Sequence, residues 1–141
     1  QQILRHRSFS FQEFSQRYAA VQSFELYAAR SQDSKNRQNS IDDMSSEDKE
    51  WFDEAQITLH NEAQSLYNTA LKRGIAKEQA RFLLPGAAST TMYMNGTIRS
   101  WIHYLNLRTG HGTQKEHMEI ADSIKDIFIK PIHTIYFITY D

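Results

Sequence analysis

The sequence predicts an α+β fold, helices packed on a β-sheet, and three observations carry that prediction. Val21 is the only valine while Ala, Leu and Ile are common, so a fold dominated by sheet is disfavoured. Apolar residues recur at spacings of three and four through the middle and end of the chain, the period of helices with one buried face. Short segments at the front and near Thr90 read instead as strands. A length of 141 residues fits one domain, 1–141.

From the N-terminus, Arg5-His6-Arg7 reads as extended chain, in which Arg5 and Arg7 point one way and His6 the other. Phe9, Phe11, Phe14 and Tyr18 follow, and most of them are expected in the core, with stacking on a planar ligand as the alternative. The stretch 30–49 is polar, with only Ile41 and Met44 apolar, and predicts a loop. A helix is expected over 46–73, with Phe52, Ala55, Leu59, Ala63, Leu66 and Ala70 turned inward, Ser45 or Ser46 as N-cap, early acids on the helix dipole and Gly74 as the stop. A shorter helix over 77–84 is closed by Pro85, and 90–94 can form a strand.

Ile98, Trp101, Ile102 and Leu105 predict a helix over 98–107, broken by Thr109-Gly110-His111-Gly112. The next helix is expected over 113–128, with Met118, Ala121, Ile124 and Phe128 inward, and it ends near Pro131. The final element, 132–140, is left undefined in type.

Composition excludes several functions. There is no cysteine, so disulfide frameworks, thiolate metal sites and Cys nucleophiles drop out, as a reducing cytoplasm would suit. Sixteen Lys and Arg against 17 Asp and Glu leave a net charge of −1, which argues against general attraction to nucleic acid or to a membrane. No apolar run reaches the roughly 20 residues that span a bilayer, and the chain reads as soluble. With the 5 Gly counted in place of the 7 Tyr, apolar residues number 54 of 141, about 38%, below the roughly 45–50% of typical domains on that residue set, which points to cover from a partner subunit or from a missing part of the fold.

Within the first 30 residues every strongly basic side chain is Arg: Arg5, Arg7, Arg17 and Arg30. Guanidinium groups grip phosphate or carboxylate in a planar, bidentate way, and Ser8, Ser10 and Ser15 add hydroxyls nearby. Solvated surface arginines are the plainer alternative. Ser15 is better read as a phosphate contact than as a nucleophile, since no base is established beside it. His103, His111 and His117 are spaced by eight and six, unlike an ordinary helical metal-ligand pair, so no metal site is expected. His60 and His133 are expected on the surface or in packing.

The combination is more specific than its parts. Arg5-His6-Arg7, seven further residues, then Ser15-Gln16-Arg17-Tyr18 resembles the diagnostic motif of the flavin-dependent thymidylate synthases. Gln79-Ala80-Arg81-Phe82-Leu83-Leu84-Pro85 is similar to that family's Ala-Arg-x-x-Leu-Pro element. The segment from Arg99 to Arg108 looks like its next helix, Gln114-Lys115-Glu116 like its Gln-x-Glu, and Asn36-Arg37-Gln38-Asn39-Ser40 like a loop of many members.

The resemblance implies a homotetramer with shared, intertwined active sites that converts dUMP to dTMP by reductive methylation, with FAD as cofactor and NADPH and methylenetetrahydrofolate as co-substrates. It implies FAD contacts at Arg5, His6, Arg7, Glu13, Thr97 and His103. For dUMP it implies Gln2, Arg5, Glu13, Ser15, Gln16, Arg17, Arg81 and Arg108. Arg108 is the implied catalytic residue, its charge favouring the N3-ionised uracil. The resemblance further implies an N-terminal part of the fold ahead of Arg5, so that the sequence is either a fragment or one whose remaining part is encoded separately, and activity of the chain alone is open. Gln12 stands where Asn is common, Thr97 where a flavin-contacting Asn is common, and Gly112 where His is frequent. Two rival readings remain: a nucleotide- and flavin-binding module without catalysis, and an Arg-rich RNA-binding helical domain, which the balanced charge disfavours.

Overall fold

The computed structural model describes residues 2–21, 23–37, 39–110 and 112–138, with side chains as far as Phe128. A 3-10 helix, Ile3–Arg5, leads into β1 (Ser10–Glu13), β2 (Ser31–Gln32) and β3 (Ser40–Ile41). There follow α1 (Ser46–Lys72), α2 (Lys77–Ala80), a 3-10 turn at Arg81–Leu83, β4 (Met92–Asn95), α3 (Ile98–Arg108) and α4 (Lys115–Ile138). Strand β1 pairs with β4 and β2 with β3, giving two small sheets in an α+β chain. Two compact units result: Gln1–Phe11, Gln32–Ser40 and Met94–Asp141 form the first, Gln12–Ser31 and Ile41–Tyr93 the second.

In the first unit, α3 and α4 pack through Tyr104, Leu105 and Ala121 against Phe9, with Ile3, Phe11, Met94, Trp101, Ile124 and Phe128 around them. The inward face expected of α4 is the one observed. That of α3 is shifted: Ile98 and Ile102 are 66% and 48% exposed, and Tyr104 takes the buried place. Gly96 lies against the Phe9 ring so closely that a Cβ there would stand 2.5 Å from it. Helix α4 also continues through Pro131 to Ile138, correcting the expected end. A helix tolerates such a proline by giving up one backbone hydrogen bond, and the Ile127 turn whose carbonyl is released is exposed, where water can replace the lost donor. Tyr140, the end of the undefined last element, lies outside the described residues.

In the second unit, α1 begins as expected. Ser45 caps it, its Oγ accepting from the Asp48 N–H at 3.1 Å, and Gly74 ends it at φ +82°, a conformation that favours glycine. Its buried face differs from the expected stripe. His60, Ala63, Tyr67 and Ala70 are buried, whereas Leu59 and Leu66 are 55% and 50% exposed and Ala55 is exposed as well. The reason is tertiary. Gln56 supplies both hydrogen bonds to the backbone of Tyr27, accepting from its N–H and donating to its carbonyl at 2.9 Å each, and Phe24 stacks on His60 at 4.8 Å. Polar residues therefore occupy the inner face, and part of the apolar stripe is turned outward.

The polar stretch is more than a loop, because β2 and β3 close a hairpin around Asp33. The Asp33 carboxylate accepts from the Lys35 and Asn36 N–H groups at 2.8 and 3.1 Å and from Asn39 Nδ2 at 3.1 Å. These donors hold its carboxyl below the usual carboxylate range. Gln38, in the middle of the motif that drew attention to this stretch, lies outside the described residues.

Candidate functional site

Arg5-His6-Arg7 is not a strand. Ile3–Arg5 is a 3-10 helix, capped by His6, and the Phe9 N–H then bonds the His6 carbonyl at 3.1 Å. Consecutive turns satisfy the backbone locally, so pairing with a neighbouring strand is not needed. The alternation expected of an extended segment nevertheless appears by another route: Arg5 and Arg7 are exposed and His6 is half-buried.

His6 faces Arg108. Arg108 Nε donates to His6 Nε2 at 2.9 Å, which requires a neutral imidazole with its proton on Nδ1. Burial, then the charges of Arg108 and His103, push the His6 pKa below its ordinary value, in agreement with that protonation state. Arg108 is half-buried at the end of α3, and among the described residues no carboxylate neutralises its guanidinium. The same holds for Arg5 and Arg7.

Beside this pair lies a chain of polar groups, buried at Tyr104 and His117 and exposed at Gln2 and Gln114, whose buried half sequence reasoning missed. Tyr104 Oη lies 3.0 Å from His117 Nε2, His117 Nδ1 lies 3.2 Å from Gln2 Oε1, and Gln2 Nε2 donates to Gln114 Oε1 at 3.1 Å. Tyr104 is fully buried and His117 is 8% exposed. Burial first, then the charges of Arg108 and His6, push the His117 pKa down to about 4. Burial pushes the Tyr104 phenol up. Both residues had a signal in the sequence: Tyr104 stands one turn before Arg108, and His117 falls on the Ala121, Ile124, Phe128 stripe of α4. A polar residue on an apolar stripe is a buried polar residue that needs a partner.

Two predicted flavin contacts behave differently from His6. Thr97 is the N-cap of α3, its Oγ1 accepting from the Ser100 N–H at 3.2 Å. His103 is exposed on the same helix.

The second unit gathers Glu13, Ser15, Gln16, Arg17 and Arg81. Ser15 opens a turn in which its Oγ accepts from the Arg17 N–H at 3.3 Å and its carbonyl from the Tyr18 N–H at 3.0 Å. The turn is strapped to α2: Arg17 pairs with Glu78 at 3.1 Å, and Lys77 Nζ donates to the Tyr18 carbonyl at 2.9 Å. Arg81 Nε donates to the Glu78 carbonyl at 3.1 Å. A recess of about 240 Å³ is lined by Glu13, Phe14, Ser15, Gln16 and Arg81, a hydroxyl and a guanidinium on one concave surface. Among the described residues no base is bonded to Ser15 Oγ, so a nucleophilic role has no geometric support. Of the four aromatics, Phe9 is buried and Phe11 half-buried, whereas Phe14 and Tyr18 are 57% and 74% exposed. His60 is a packing residue; His111 lies outside the described residues, as does the side chain of His133.

A dinucleotide and a nucleotide monophosphate need cations that internal carboxylates have not neutralised. Arg5, Arg7 and Arg108 meet that requirement in the first unit and Arg81 in the second, so the residues present fit both groups. Among the described residues no group of three His, Asp or Glu could hold a metal ion. No helix there is long and apolar enough to cross a membrane.

Residues 1–132 match the family model described as thymidylate synthase complementing protein. A probable flavin-dependent thymidylate synthase of Paramecium bursaria Chlorella virus 1 is 55% identical over 135 residues, covering 95% of this chain and 62% of that protein. A flavin-dependent thymidylate synthase of Synechocystis sp. is 53% identical over 134 residues, again with 95% and 62% coverage. The chain thus spans less than two thirds of the length of these relatives. Among solved structures, the UMP/dUMP methylase PolB from Streptomyces cacaoi bound with 5-Br UMP superposes with a TM-score of 0.83 at 26% identity, covering 92% of this chain and 63% of that one.

Proposed function

The chain belongs to the thymidylate synthase complementing protein family, and on that premise we propose that it is the larger, C-terminal part, 1–141, of a flavin-dependent thymidylate synthase that methylates dUMP to dTMP. The observation that carries the proposal is the half-buried Arg108, held by a neutral His6 and without a carboxylate partner among the described residues. A cation kept in place and un-neutralised suits a reaction in which a substrate ring becomes negative.

In this reading Arg108 faces the uracil and lowers the pKa of its N3–H, because a nearby positive charge favours the anion. His6 acts on Arg108 by accepting its Nε–H, which leaves the terminal nitrogens for the substrate. Gln2 is a further dUMP contact. Ser15, Gln16, Arg17 and Arg81, with Glu13, hold the nucleotide at the recess of the second unit. Arg17 reaches it from an ion pair with Glu78 that is about half exposed and easily rearranged. Arg5 and Arg7 bind the phosphates of FAD, with Thr97, His103 and Glu13 as its hydrogen-bonding partners and Arg5 also reaching dUMP. When bound, FAD reduced by NADPH supplies the hydride, and methylenetetrahydrofolate supplies the carbon.

Assembly as a homotetramer with shared active sites is part of the proposal. Trp51, Leu59 and Leu66 lie on one outward face of α1, 67%, 55% and 50% exposed, and would be covered by another copy. The cytoplasm is the proposed location, since nothing in a cysteine-free nucleotide enzyme calls for an oxidising compartment.

The test is tritium release from dUMP labelled at the ring carbon that is methylated, with FAD, NADPH and methylenetetrahydrofolate present. Release is the expected result. Binding of FAD and dUMP without release would support the alternative of a binding module. Failure to bind either ligand would reject both readings.

A further inference from the structure

Gln2 carries an ambiguity that its neighbours resolve. A carboxamide is nearly symmetric in shape but reversed in polarity on its two sides, so a glutamine contact is defined only when something determines which side holds the oxygen. Gln2 is exposed and makes no cap bond to its own 3-10 helix; its amide reaches across to the start of α4 and the residue before it. There it meets His117 Nδ1 on one side and Gln114 Oε1 on the other, at 3.2 and 3.1 Å.

The imidazole alone cannot decide the polarity, because a neutral histidine has two tautomers. Tyr104 can. Its hydroxyl is fully buried, and its single hydrogen-bond partner among the described residues is His117 Nε2 at 3.0 Å. A buried phenolic O–H with one partner must donate to it, since otherwise its proton would be left unsatisfied at full desolvation cost. Nε2 is then an acceptor and the ring proton lies on Nδ1. That N–H requires the oxygen of Gln2, and the Gln2 nitrogen is turned to Gln114.

We propose that Tyr104 and His117 are positioning residues that set the amide polarity of Gln2, and thereby the order of donor and acceptor that Gln2 offers to the pyrimidine. The dUMP half of this statement rests on the proposed function; the polarity half does not. Tyr104→Phe keeps the ring and its packing, removes the group that decides the tautomer, and is expected to preserve the fold.

Two measurements on the whole chain test it. Nitrogen-15 NMR of the histidines is expected to show His117 neutral with its proton on Nδ1 in the wild type and as a tautomer mixture in Tyr104→Phe. A wild-type proton on Nε2, or an unchanged tautomer in the variant, overturns the proposal. Titration with dUMP is expected to show Tyr104→Phe and His117→Leu each weakening binding by about three- to tenfold, the worth of one hydrogen bond. His117→Asn, which restores a donor near the Nδ1 position, should recover most of that loss. In a Gln2→Ala background neither change should matter further; full additivity overturns the proposal. If the wild type binds no dUMP, the functional reading fails, and the same coupling read in melting temperature still decides the polarity.

Discussion

The two groups of candidate site residues are built on opposite principles. In the first unit His6, Tyr104, His117 and Arg108 are wholly or partly buried, and His6 Nε2, both ring nitrogens of His117 and the Tyr104 hydroxyl are each used by another side chain. In the second, Arg17 and Glu78 meet at 53% and 47% side-chain exposure, and the turn around Ser15 is open. Low dielectric strengthens a satisfied network and penalises a broken one, whereas water screens an exposed pair. The first region is organised before a ligand arrives. The second can rearrange around one.

The largest expected contrast is catalytic. Arg108→Ala should lower dTMP formation by about 100-fold or more while leaving FAD binding nearly intact, and Arg7→Ala should mainly weaken FAD, as read by steady-state rates and flavin titration. Equal effects of both changes on both ligands would erase the distinction between the roles.

Stability should follow the same division. Gly96→Ala drives a methyl group into the Phe9 ring and should cost about 1–3 kcal/mol by urea denaturation. Gly86→Ala in the second unit meets nothing within 4 Å and should fall within about 1 kcal/mol of wild type, on the stabilising side. A comparable loss at both positions would remove the packing difference.

Acid sharpens the comparison further. His117 titrates near 4 in the folded chain against 6.5 for a free histidine, so the unfolded state binds more protons between those values. Stability from this group is complete above pH 6.5 and is lost progressively as the pH falls towards 4; His6 adds in the same direction. Melting temperature should therefore decline over that window, and less steeply in His117→Leu. The smallest effect belongs to the exposed pair: Glu78→Gln should change stability by less than about 1 kcal/mol.

Much of this was legible in advance. Helix α1 announced itself through period, cap and terminal glycine, and α3 through its stripe and breaker, because those signals are local and repeat every few residues. The motifs pointed to Arg108 and to the Ser15 turn in the same way. Periodicity was less informative about α1 packing, since an apolar stripe wider than the contact beneath it leaves the choice of face to Gln56 and His60. The buried Tyr104–His117 pair was hidden for a related reason. Hydrogen-bond partners of buried groups come from distant chain, as Gln2 and His117 do at a separation of 115 residues.

The sequence by itself therefore determined where the helices begin, how α1 starts and stops, and which residue types could hold a nucleotide and a flavin. These follow from backbone propensity and side-chain chemistry, which act within a turn or two. Only the tertiary structure decided that Arg5-His6-Arg7 is a turn, that His6 is a neutral acceptor for Arg108, and which face of α1 is covered. Protonation state and buried polarity depend on what else shares the same few ångströms, and that is a property of folding rather than of order along the chain.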